Sequence, residues 1–145
     1  MKHKIIKKVL AVITAAVILM VLTSGSGIKG EMAGLIKART DILNGYFCGH
    51  INYYDALRQI KEIETGSLME EDIQAMRDNF QTDIEEVDEY KISEIELTFA
   101  DEDLVCGVVT IDWHLSGTGG NDTMQEIYSV IMEKHEKKYK LVQFF

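Results

Sequence analysis

Residues 104–116 read Leu104-Val105-Cys106-Gly107-Val108-Val109-Thr110-Ile111-Asp112-Trp113-His114-Leu115-Ser116. Taken in steps of two, Val105, Val109, Ile111, Trp113 and Leu115 fall on one face with Gly107 as the gap. Leu104, Cys106, Val108, Thr110, Asp112 and His114 fall on the other. That period belongs to a strand with one face against a core. The second face mixes apolar and polar side chains and is too apolar to be simply wetted. Cys106, Val108, Thr110, Asp112 and His114 are therefore the candidate surface for a protein partner or a second copy of the chain.

The same period extends outward. Ile95, Leu97 and Phe99 alternate with Glu94, Glu96 and Thr98 in a strand that begins near Tyr90, and Asp101-Glu102-Asp103 form the polar turn into residue 104. Beyond Ser116 a glycine-rich hairpin loop runs to Asp122, followed by strands over Thr123–Lys134 and Tyr139–Phe145. Toward the N-terminus the period becomes helical. Leu35, Ile36, Ile42, Leu43, Tyr46 and Phe47 give a helix over Glu31–Cys48 stopped by Gly49. Asn52 caps a second helix with Ala56, Leu57, Ile60 and Ile63 on one stripe and Gly66 after its end. Ser67 and Glu70 make a capping box for a third, with Met69, Ile73, Met76 and Phe80 as its apolar stripe. The expected fold class is α+β: three helices followed by a four-stranded antiparallel meander.

Ahead of this lies a different kind of segment. Lys2, Lys4, Lys7 and Lys8 precede the 14-residue run Val9–Leu22, interrupted only by Thr14, and then come the small residues Thr23-Ser24-Gly25-Ser26-Gly27. Basic, apolar and small in that order is the composition of an export signal. The run spans about 21 Å, extended to about 27 Å if it starts at Ile5 with Lys7 and Lys8 snorkelling, against a hydrocarbon core of roughly 30 Å. Gly25 and Ser26 are poor cleavage residues, so a retained single-pass anchor is expected, with the domain outside the cytoplasm. Cleavage would instead give a secreted protein. The organisation is thus 1–26 signal or anchor, a short linker at Gly25–Gly30, and one extracytoplasmic domain over 27–145.

Four of the 15 basic and none of the 24 acidic residues lie in 1–26, which leaves 27–145 with a formal charge of −13. Such a surface repels phosphate backbones and anionic headgroups, so no nucleic acid is expected as a partner and the membrane is reached only through the N-terminal segment. Cys48 and Cys106 lack the close spacing of zinc or redox motifs and are expected as small buried thiols, with one disulfide between them as the alternative in an exported protein.

Helices first, then a meander with an acidic lead-in and a tryptophan in mid-sheet, resembles the cystatin-like fold typified by nuclear transport factor 2. The resemblance is carried by Tyr46-Phe47, by Asn52-Tyr53-Tyr54-Asp55-Ala56 and by Tyr139-Lys140-Leu141-Val142. The layout of basic stub, membrane segment and outer domain is also similar to the bitopic assembly factors of conjugation and type IV secretion channels. That likeness implies a scaffold without catalytic activity.

Candidate chemistry is sparse. Asp112 and His114 share a strand face, as a carboxylate orienting an imidazole requires, but they oppose the face expected to be enclosed. The cystatin-like resemblance implies that enzymes of this fold keep their acid and base groups on the enclosed face, where this chain offers valine, isoleucine, tryptophan and leucine. Tyr53, Tyr54, Tyr128 and Tyr139 are read as core-capping aromatics. Cys48-Gly49-His50 is read as a helix end. His3, His50, His114 and His135 lack ligand spacing, and the ten acidic residues within Asp83–Asp103 form no calcium loop. No catalytic residue, cofactor or metal is expected. The reading is a non-catalytic, membrane-anchored interaction or scaffold module. Its alternatives are a binder of small apolar ligands at Trp113, Ile111 and Val109, and an isomerase or hydratase-like enzyme using Asp112 and His114.

Overall fold

The computed structural model describes residues 27–78, 86–117 and 120–145. The segment 1–26, on which the export and anchor readings rest, lies outside the described residues, as does Phe80. No helix among the described residues is long and apolar enough to cross a membrane. A compact unit extends from Met32 to Phe145.

The first helix, α1, covers 27–47. It takes in Gly27 and Gly30, which were expected in a linker; glycine weakens a helix by only about 1 kcal/mol per residue, so a few need not end one. The stop at Gly49 is as expected and has a defined form. Gly49 adopts φ 76°, its N–H reaches the Tyr46 carbonyl at 3.0 Å, and the His50 N–H reaches the Gly45 carbonyl at 2.7 Å. These paired bonds satisfy carbonyls that the helix end would otherwise strand.

The second helix, α2, is Tyr53–Ile63, and its Asn52 cap accepts the Asp55 N–H at 3.0 Å. Glu64 then turns extended, and the chain lies against the last strand, with the Thr65 N–H on the Leu141 carbonyl at 2.9 Å. The third helix, α3, is Gly66–Asp78, so it opens one residue ahead of the expected Ser67 cap. Met76 is fully buried, and Met69 and Ile73 pack beside Ile42, Tyr46, Ala56 and Ile60. The other buried positions of α3 are Leu68 and, unexpectedly, Asp72.

Strands β1 (Glu86–Ala100), β2 (Leu104–Gly117), β3 (Gly120–His135) and β4 (Lys138–Phe144) form one antiparallel sheet in chain order. The expected meander is present. Its central hairpin is longer than expected, because pairing continues through Leu115↔Asp122 and Ser116↔Asn121 to Gly117↔Gly120. Backbone ladder bonds there outweigh the loop preference of the glycines.

The helices cover one face of the sheet. Val105, Val109, Ile111 and Trp113 are buried there with Val130, Met132 and Leu141 from β3 and β4 and with Met32 and Ile36 from α1. Gly107 belongs to the same face: a Cβ on it would lie 3.2 Å from the Met32 sulfur. At the edge of the sheet, Asn44 of α1 serves Val87 as a neighbouring strand would. Its carboxamide donates to the Val87 carbonyl at 3.1 Å and accepts the Val87 N–H at 2.9 Å, closing part of an otherwise open edge.

Candidate interaction surface

Residues directly opposite in an antiparallel ladder share a face, so the register lays out the side of the sheet away from the helices. Cys106 stands between Phe99 and Ile131, and Val108 between Glu96 and Ser129. Thr110 stands between Glu94 and Ile127, Asp112 between Lys91 and Gln125, and His114 between Glu89 and Thr123. Phe145 extends the Val108 row by exchanging both backbone bonds with Ser129, at 2.6 and 3.1 Å. All five residues chosen from the sequence thus lie on one surface.

That surface has two ends of different chemistry. At one, Phe99 is 50% exposed and Ile127 and Phe145 are each 69% exposed, flanking the half-buried Cys106, Val108 and Ile131. This end of the face is largely apolar and solvent-exposed, with Glu96 and Ser129 beside Val108. At the other, Asp112 accepts the Gln125 amide at 2.6 Å and His114 Nδ1 lies 3.2 Å from the Thr123 hydroxyl. A shallow groove of about 470 Å³ runs among Glu89, Lys91, Asp112, His114, Thr123 and Gln125. Asp112 and His114 are each engaged by a partner on β3, and the imidazole is solvent-exposed. The groove is open and lined mainly by polar and charged side chains.

Phe99, expected from the alternation to share a face with Ile95 and Leu97, is carried to the outer face by the register shift between Leu97 and Phe99, and only cross-strand pairing brings it together with Ile127 and Phe145. Val109, Ile111 and Trp113, the residues offered for a ligand pocket, lie in the packed layer between sheet and helices, with Val109 and Ile111 fully buried and Trp113 9% exposed. The open space on the helical side lies elsewhere, in a groove of about 670 Å³ between α1 and β1 lined by Gly34, Lys37, Asp41, Asn44, Val87 and Tyr90.

The enclosed side is also more polar than β2 alone suggests. Trp113 donates its indole N–H to the Tyr128 hydroxyl at 3.1 Å, and that hydroxyl donates to Glu126. Burial, followed by the Glu126 bond, pushes the Tyr128 phenol up to about 12. Tyr128 stacks on Phe144 at 4.4 Å, and the Arg39 guanidinium lies 4.9 Å over the other partner of that stack, Phe144. Arg39 grips Asp72 through two bonds of 2.7 Å each, and its Nε lies 3.2 Å from Glu64 Oε1. Glu64 is fully buried, and neither of its carboxyl oxygens accepts a hydrogen bond. Burial first, and the Asp72 charge second, push Glu64 up to about 8 against the pull of Arg39. The sequence does hold a signal for this cluster, since Asp72 falls midway between Leu68 and Met76 on the buried stripe of α3.

Cys48 and Cys106 are both thiols. Cys48 points toward Asn44 Oδ1 at 3.6 Å, and Cys106 lies on the outer sheet face.

No family model matches the chain, and no curated protein matches it. Among solved structures, the intermembrane space region of the chloroplast protein ARC6 is similar at 14% identity and a TM-score of 0.44, over 61% of this chain and 75% of that one.

Proposed function

We propose that residues 27–145 form a non-catalytic extracytoplasmic interaction module, held at the membrane by residues 1–26, whose docking surface is the outer face of the sheet. The observation that carries this reading is the uncovered apolar patch of Phe99, Ile127 and Phe145 around Cys106, Val108 and Ile131. Exposed apolar side chains gathered on one sheet face are a marker of protein contact, and the polar groove at the other end supplies orientation. Three helices on one side of a four-stranded meander support the cystatin-like resemblance, and within it the packed inner layer favours a scaffold over an enzyme. The net acidic surface favours a partner that is basic around an apolar centre.

Serine at both Phe99 and Ile127 tests the reading. The full chain should keep its folding stability and lose its crosslinked complexes in cells. Complexes that survive this double substitution unchanged would place the contact elsewhere.

A further inference from the structure

The junction of α1, α2, α3 and β4 holds two carboxyl groups and one guanidinium. Arg39 spends both arms of its fork on Asp72, at 2.7 Å each, and meets Glu64 only through Nε at 3.2 Å. Among the described residues, the charged and titratable groups facing Glu64 are Arg39 from α1 and Asp72 from α3. β4 presents Leu141 to it, and the neighbouring Lys140 ammonium is engaged by the Lys61 carbonyl at 2.7 Å. Beyond Phe144, Tyr128 and Glu126 of β3 bond each other. The Arg39–Asp72 pair is neutral as a unit. An ionised Glu64 would therefore add an uncompensated buried charge, which a protein interior does not tolerate when a proton can remove it.

The same residues tie down the end of the chain. Glu64 bridges Leu141, the Thr65 N–H reaches the Leu141 carbonyl at 2.9 Å, and Arg39 covers Phe144. We propose that the buried Glu64 carboxyl holds a proton beneath the Arg39–Asp72 pair, and that this proton is a latch on the C-terminal strand: when it leaves, β4 loosens from the helices. Its loss to water leaves two carboxylates facing one guanidinium. The latch is independent of what docks on the outer face.

The test uses full-length protein, titrated from pH 6 to pH 10 with two readouts. Infrared difference spectra should show one protonated carboxyl at pH 6 that disappears with a midpoint near 8 and is missing in Glu64→Gln. Hydrogen exchange at Leu141–Phe144 should be at least tenfold faster in the parent than in Glu64→Gln at pH 9, and the ratio should shrink as the pH falls to 6. In Asp72→Asn, Arg39 is freed for Glu64, and the midpoint should move down by more than one pH unit. No protonated carboxyl at pH 6, a band that persists in Glu64→Gln, or a midpoint unmoved in Asp72→Asn would overturn the proton on Glu64. Equal exchange of β4 in parent and Glu64→Gln at pH 9 would overturn the latch.

Discussion

Met32 occupies the space that Gly107 leaves in β2. Its sulfur lies 3.2 Å from the position a Cβ would take on Gly107, and the backbone oxygen of Glu96 lies 3.0 Å from the same point. The single gap in the apolar face of residues 104–116 is thus the place where α1 approaches the sheet. Gly107→Ala should destabilise the protein by about 1–3 kcal/mol, since the sulfur can move aside but the β1 backbone cannot. Urea denaturation measures it, and an unchanged midpoint would mean that the Glu96 carbonyl leaves room for a side chain at position 107.

Trp113 and His114 are adjacent in sequence and opposite in the sheet. Trp113→Ala should lose ~3–5 kcal/mol of stability, as large core truncations do. His114→Ala should lose less than about 1 kcal/mol, because its ring is exposed and, among the described residues, bonded to Thr123 alone. Denaturation of both variants compares them directly; the reverse order would exchange the two faces of the sheet.

Glu64 sets a pH dependence of known sign. Its folded value near 8 lies above the ordinary 4.5, so between these pH values the native state binds the extra proton and stability falls as pH rises. The full penalty is present above pH 8. The difference in stability between Glu64→Gln and the parent should grow by about 1.4 kcal/mol for each pH unit through that window. Denaturation at pH 5, 6.5 and 8 gives the slope, and parallel curves would contradict a buried protonated Glu64.

The sequence revealed the element order because periods of two and of 3.6 are local properties. The faces of β2 followed for the same reason, and Asn52 and Gly49 marked helix boundaries through the backbone bonds they supply or permit. The proposed docking surface was legible only in part: Cys106, Val108, Thr110, Asp112 and His114 come from one strand, but Phe99, Ile127 and Phe145 join them through cross-strand register, which no single segment encodes. Arg39, Glu64 and Asp72 are separated in the chain and on three different elements. A lone charge on an apolar stripe, as at Asp72, was the one trace they left.

Retention at the membrane is predicted by Lys7 and Lys8 flanking an apolar run with poor cleavage residues after it. Cell fractionation should find the full-length chain in the membrane fraction, with its C-terminus accessible from outside. A mature chain in the medium that begins near Gly27 would contradict anchoring while leaving export intact.

The docking surface is tested most directly by a photocrosslinking side chain placed at Ile127, on the apolar end of the outer sheet face, and at the exposed Glu62 of α2 for comparison. In living cells the probe at Ile127 should give a discrete higher-mass adduct, either with one partner protein or with a second copy of the chain, and the probe at Glu62 should give none. Adducts from Glu62 and none from Ile127 would put the interaction on the helical side and contradict the assignment of the sheet face.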